Sequence, residues 1–459
     1  MALGRSSGRG RTPAPVRLAH LGLGNFFRAH QAWYTEHAGD ADDWGYAAFT
    51  GRSPEVAVAL AAQDGLYTLI TRAADGDRCE MVSSLSAAHP AADHAAWLGY
   101  LRSPALAAVT VTITEAGYCR RPDGGLDTSR PEVAGDVAAL RAEPTAPART
   151  APGRLIAGLS ARRRADAGPL AIVPCDNLPS NGPLTRRVLA DLAELVDDGL
   201  AAWLAESVTV VTTMVDRITP RATAADVRSA RELTRLDDCC PVITEPFSDW
   251  VLSGDFPAGR PRWEDAGATF TAAILPFEER KIWLLNGAHS LLAYAGSITG
   301  HATVADAVAS PTCLSWLAQW WDEASVHLHQ PADEVARYRA ALLERFRNAR
   351  MRDRLDRIAA DGSQKLPVRI LPVLRAERHA GRLPPAATLV LAAWICHLRG
   401  AGAPVNDARA DELVPLASGP IADAVRRVLG WLDTALADDQ DLVTHVTERC
   451  EMFSRWSFR

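Results

Sequence analysis

Lysine is almost missing from this chain. Of 49 basic residues only Lys281 and Lys365 are lysines, which leaves 47 arginines. A coding bias towards Arg, Ala and Gly explains most of the loss, because a surface Lys becomes Arg at little cost. Arg does not lose its proton in a protein, whereas a buried Lys does. The two survivors are therefore candidates for positions where Arg fails chemically, against the alternative that they escaped by chance.

Other absences narrow the class. No apolar run reaches the ~20 residues that cross a bilayer, and a formal net charge of −6 with no basic block beyond the start of the chain argues against a nucleic-acid partner. The opening "MALGRSSGRGRTPAP" is basic but lacks the apolar core of a signal peptide. Residues 1–15 read as a flexible tail, and the protein as cytoplasmic. The eight cysteines show no CxxC pair and no zinc spacing, which suits reduced thiols, and the adjacent Cys239 and Cys240 receive no role. HExxH is absent, and His327 and His329, two residues apart, are more often accidental, so no metal is expected.

What is present is patterned. With 459 residues, 48% hydrophobic and 23% charged, the chain is long enough for two or three domains. "VRLAHLGLG" (16–24) reads as a strand ending in glycines, and "NFFRAHQAWYTEHA" after it as a helix. Further strands are read at 44–51, 107–114, 170–175 and 208–215, with helical stretches between some of them. This alternation implies an α/β, doubly wound parallel sheet of Rossmann type over residues 16–276. From residue 277 to 459 apolar residues recur mainly at helical spacing, which implies a second, mostly α-helical domain holding substrate and catalytic groups.

The glycine turn is an incomplete dinucleotide fingerprint. Gly22 and Gly24 supply the tight turn and the close backbone approach, with Asn25 and Phe26 opening the helix, while Phe27 stands where a third glycine belongs. After the second strand, Glu55 is the candidate for the adenosine ribose hydroxyls and favours NAD; Arg52 suits a 2′-phosphate and leaves NADP open.

The segment "KIWLLNGAH" carries the reactive groups. On an α-helix Lys281, His289 and Asn286 fall at about 0°, 80° and 140° around the axis, along one side. Trp283, Leu284 and Leu285 supply apolar cover, and desolvation disfavours a charged ammonium, so Lys281 is suited to act as a base. Alcohol oxidation requires such a base, together with donors for the developing oxyanion, here an Asn amide and an imidazole. Taken singly, His289 is more often structural and Asn286 a helix cap; beside a rare Lys they favour catalysis. A Schiff-base lyase would also want one desolvated lysine, and a silent NAD-binding sensor would keep the glycine turn alone.

Longer segments now align with a known family. "HLGLGNFFRAHQAWYT" from His20, "TITEAGY" from Thr112, "PCDNLPSNG" from Pro174, "MVDRITP" from Met214, "EPFSDWVLSGDFPAGRP" from Glu245, "KIWLLNGAHSLLAY" from Lys281 and "DGSQKLP" from Asp361 resemble the polyol-specific long-chain dehydrogenases. The resemblance covers roughly residues 16–400. It implies a zinc-independent, NAD(P)-dependent enzyme, likened to monomeric relatives, with Lys281 as base in a K-x4-N-x2-H signature. It further implies Asn286 and His289 as holders of the reacting oxygen, Asn177 as a further ligand, and Glu278 as a proton outlet. Asp216, Arg357 and Lys365 are implied as binders of substrate hydroxyls or carboxylate, with a buried Asp216–Arg357 ion pair as the structural alternative. The chain departs from the family at Phe27, where a histidine is usual, and at Pro54, where an acidic residue stands. The implied reaction is hydride transfer between NAD and a small-molecule polyol or sugar acid. D-mannitol to D-fructose leads, D-fructuronate to D-mannonate is the close rival, and mannitol 1-phosphate comes third for lack of a further phosphate-binding cluster.

Overall fold

The structure, a computed structural model, describes residues 2–456. The chain divides into two compact units, one ending at Leu275 and one beginning at Pro276. In chain order the described strands are β1 (Val16–Leu21), β2 (Gly45–Phe49), β3 (Tyr67–Ala73), β4 (Gly76–Val82), β5 (Leu85–His89), β6 (Ala108–Val111), β7 (Leu170–Pro174), β8 (Val208–Val210), β9 (Thr212–Asp216), β10 (Val242–Thr244), β11 (Asp249–Ser253) and β12 (Thr269–Phe270).

Six of them form one sheet in the order β5-β2-β1-β6-β7-β8, with every neighbouring pair parallel. Counted within the sheet this is the doubly wound dinucleotide-binding order 3-2-1-4-5-6, and it reverses between β1 and β6. Helices cover both faces, so its strands need no polar side; every residue of β2 and β7 is buried.

Several elements depart from the sequence reading. The apolar stretch 208–215 reads as one strand but breaks at Val211 into β8, on the parallel sheet, and β9, which pairs antiparallel with β11 in a smaller sheet. Uniform β-branched composition carries no mark of such a change of sheet. The expected helix after Gly24 is two short ones, Asn25–Ala29 and Gln31–Glu36, broken at His30 (φ −123°, ψ −90°), whose Nε2 lies 3.1 Å from the Asp249 carbonyl.

Residues 2–15 are not a loose tail, and Met1 lies outside the described residues. Leu3 is 2% exposed, clustered with Leu66 and Leu236, and its N–H donates to the Asp237 carbonyl at 3.2 Å. Arg11 pairs with Glu36 and Asp42, both at 2.9 Å. Arg5 is held as well: its guanidinium donates to the backbone carbonyls of Asp64, Ser83 and Leu85 at 3.1, 3.0 and 3.1 Å.

The second unit is helical. Its centre is the helix Pro385–Leu398, in which every residue from Ala386 onward is buried, as expected for a helix apolar all round. The helices Pro311–Ser325 and Gln440–Ser454 pack against it. No helix of the described residues is long and apolar enough to cross a membrane.

Candidate functional site

In the first unit the glycine turn closes the end of β1. Gly22 has φ +112°, and a Cβ there would stand 1.9 Å from the Thr112 carbonyl oxygen, so only glycine fits. The N–H groups of Gly22 and Leu23 donate to the Phe49 carbonyl at 2.9 and 2.8 Å. Gly24 is different: a Cβ there would meet only the Gly22 carbonyl, at an ordinary 3.6 Å. The protein leaves room in front of it, and that room fits the close approach of a pyrophosphate.

The residues after the turn are largely committed to the protein. Asn25 accepts from Arg28 Nη2 at 2.8 Å, and Phe26 stacks on the His30 ring with centroids 4.9 Å apart. Phe27, fully buried, stacks on His20 at 3.6 Å and meets Tyr46 edge-on. An aromatic layer thus takes the place of the missing third glycine. Burial drives the His20 pKa down to about 3, which keeps this ring neutral.

A cleft of about 390 Å³ opens beside the turn, lined among others by Gly22, Gly51, Arg52, Thr112 and Arg154. Arg52 faces it. Glu55 does not line it; it is exposed and begins the helix Glu55–Ala62.

Asn177 is exposed on the loop after β7. That loop is pinned from within: Asp176 accepts from the Leu178 N–H at 2.9 Å and from the Tyr118 hydroxyl, and Asn181 accepts from the Thr213 N–H at 2.9 Å. Asp216 ends β9 and is 5% exposed.

In the second unit the lysine segment is helical, but not α-helical as read from the sequence. Residues Lys281–Gly287 form a π-helix, Ala288–Leu291 one α turn, and Leu292–Gly296 a second π-helix. Hydrogen bonding from i to i+5 places a residue over the one five positions earlier. Asn286 therefore stacks above Lys281 instead of standing well off to the side, and His289 follows within the next turn. π-helical turns arise frequently at functional sites.

Tryptophans hold this backbone from behind. Trp320 and Trp321, on the helix Pro311–Ser325, donate their indole N–H groups to the carbonyls of Trp283 (2.8 Å) and Leu284 (2.9 Å). The Asn286 carbonyl accepts from Ser290 Oγ at 3.2 Å and Arg369 Nη1 at 3.3 Å. Lys281 is 6% exposed and Glu278 4%, whereas Asn286 and His289 are half-buried. His289 Nε2 lies 3.7 Å from Asp353 Oδ2, and its ring centroid 5.0 Å from that of Phe346. Burial raises the Asp353 carboxyl above the usual carboxylate range.

The helix Gly362–Arg369, which carries Lys365, packs against the Lys281–Gly287 segment. Lys365 is half-buried and donates to the Ile358 carbonyl at 3.2 Å and to that of Ala360, which ties down the turn after the short helix Leu355–Ile358. Arg357, on that helix, is exposed. The sequence reading brought forward neither Arg154, one arginine among 47, nor Trp320, Trp321, Asp353 and Arg369. Among these only the close-set tryptophans of "LSWLAQWW" stood out in the sequence. No three His, Cys, Asp or Glu side chains gather as a metal-holding group among the described residues.

Comparison with known proteins covers both units. Residues 16–265 match the mannitol dehydrogenase Rossmann domain and residues 273–453 the mannitol dehydrogenase C-terminal domain. The chain is 36% identical to the D-mannonate oxidoreductase of Escherichia coli (strain K12) over 394 residues, 84% of this chain and 80% of that enzyme. It is 37% identical to the mannitol 2-dehydrogenase of Cereibacter sphaeroides over 385 residues, 82% of this chain and 80% of that enzyme. Among solved structures it is similar to the Pseudomonas fluorescens mannitol 2-dehydrogenase in ternary complex with NAD and D-mannitol. There the TM-score is 0.83, with 31% identity, over 100% of this chain and 98% of that one.

Proposed function

The chain belongs to the mannitol dehydrogenase family and is an oxidoreductase of polyol/ketose or mannonate type; from that premise we propose that it interconverts D-mannitol and D-fructose with a nicotinamide dinucleotide, NAD or NADP, and without zinc. The observation that carries this reading is the π-helical turn, which sets the buried Lys281 beneath the half-buried Asn286 with His289 one turn on.

Gly22, Gly24 and Arg52 hold the dinucleotide, whose nicotinamide supplies the acceptor for the hydride of the carbinol carbon. Lys281 Nζ takes the hydroxyl proton in oxidation and returns it in reduction. The Asn286 amide and the His289 imidazole donate to the oxygen as charge develops on it, which is where fixed donors contribute most. Glu278, buried three residues before the lysine, relays that proton onward. Asn177, Asp216 and Lys365 bind substrate oxygens.

A second reading, reduction of D-fructuronate to D-mannonate, has its own support in the exposed Arg357 guanidinium, a bidentate match for a carboxylate, and in the similarity to the D-mannonate oxidoreductase. Oxidation of NADH and, in a second series, of NADPH by the purified protein, offered D-fructose and D-fructuronate in parallel, separates the two. Faster turnover of fructose supports the mannitol reading, and near-exclusive use of fructuronate replaces it with the second. Turnover of neither removes both.

A further inference from the structure

The cleft beside the glycine turn contains a buried cation that no carboxylate neutralises among the described residues. Arg154 is 6% exposed. Its Nη1 donates to the Thr50 carbonyl, directly after β2, at 3.1 Å, and its guanidinium lies 5.8 Å from the Trp97 ring centroid. Its other terminal nitrogen, Nη2, is buried with no hydrogen-bond partner. Burial alone pulls the Arg154 pKa down to about 10, with no acidic group acting against it.

An uncompensated buried charge is costly, and natural folds keep one where something else supplies the counter-charge. Arg52 and Arg149, both exposed, line the same cleft. The one lining carboxylate, Glu132, is engaged by Arg130 at 2.6 Å.

Position decides what the anion is. In this strand order the residues after the second strand meet the adenosine ribose; an acid there takes the 2′-hydroxyl, and an arginine the 2′-phosphate. Here the acid is out of place, since Glu55 does not line the cleft, while Arg52 does and Arg154 is anchored to Thr50 beneath it. The pyrophosphate has its own place at Gly24. We propose that Arg52, Arg149 and Arg154 form a subsite for the 2′-phosphate of NADP(H), so that the protein holds the phosphorylated dinucleotide more tightly than NAD(H). This rests on the reading of the first unit as a dinucleotide site.

The test is binding, independent of turnover. Adenosine 2′,5′-bisphosphate and AMP are titrated calorimetrically into the full chain, and NADPH and NADH by fluorescence. The bisphosphate is expected to bind about tenfold tighter than AMP or better, and NADPH tighter than NADH by a similar ratio. Both ratios should fall towards one in Arg154→Met and in the double variant Arg52→Ala, Arg149→Ala. The double variant changes exposed residues only, so a folding defect in Arg154→Met leaves the test intact. Equal binding of bisphosphate and AMP overturns the proposal, as does equal weakening of both ligands in the variants, which would put the arginines on the 5′-phosphate. If NADH binds well while the 2′-phosphate confers nothing, this inference alone fails; if neither dinucleotide binds, the dinucleotide reading fails with it.

Discussion

Trp320 donates its indole N–H to the carbonyl of Trp283 at 2.8 Å, and its ring stands where a Cβ on Gly287 would come within 2.7 Å of Cζ2. One side chain thus braces the π-helical turn at two points. It fills the space that glycine leaves and satisfies a carbonyl on the same segment.

Gly287→Ala would drive a methyl group into a rigid ring, and overpacking of this kind costs roughly 1–3 kcal/mol. Trp320→Phe keeps most of the ring volume but leaves the Trp283 carbonyl without that donor, also about 1–3 kcal/mol. Urea unfolding of each variant should show a lower midpoint. A Trp320→Phe protein with unchanged stability and activity would show that the brace is incidental.

Lys281→Ala is expected to lower kcat by about 10²- to 10⁴-fold, the usual contribution of a positioned proton acceptor, with dinucleotide affinity kept because the glycine turn belongs to the first unit. Steady-state kinetics and a fluorescence titration of the same preparation measure both. Turnover at neutral pH within a few-fold of the parent would remove the lysine from the base role.

If Arg357 anchors a carboxylate, Arg357→Ala should raise the KM for D-fructuronate by about tenfold or more, the weight of a charged hydrogen bond, and leave that for D-fructose nearly unchanged. Equal effects on the two substrates would make Arg357 a ligand for a shared hydroxyl or a structural residue.

Glu323 gives a pH prediction away from the proposed catalytic groups. Desolvation raises its pKa to about 7, although it accepts from the N–H groups of Ala386 (2.6 Å) and Ala387 (2.9 Å). The folded state therefore holds a proton that the unfolded chain releases near the ordinary glutamate value. Its contribution to stability is complete below that value and declines as pH rises towards 7. Thermal midpoints measured from pH 4.5 to 8 should fall less steeply in Glu323→Gln than in the parent. Parallel curves would locate the effect elsewhere.

What the sequence made legible follows from what pattern can encode. The parallel sheet was readable because strands buried on both faces must be continuously apolar, and β2 and β7 are. The change of sheet at Val211 was not readable, because β8 and β9 differ in their partners, not in composition. Lys281, Asn286 and His289 stood out by residue type, yet their alignment depends on an i to i+5 register imposed by the indoles of Trp320 and Trp321, which lie more than thirty residues away. Arg154 was invisible for the opposite reason: in a chain with 47 arginines, one more has no distinguishing mark until its burial is known.

The burial of the two lysines has a practical consequence. Lys281 is almost fully enclosed and Lys365 half-enclosed, so the folded surface offers amine-directed reagents hardly any ε-amino group. Acylating probes and cross-linkers will find few side-chain amines to attach to. Acetylation of a lysine side chain, which erases the charge it lands on, has only residues proposed for catalysis and substrate binding as its targets, so the extent of lysine labelling would report directly on access to these two positions.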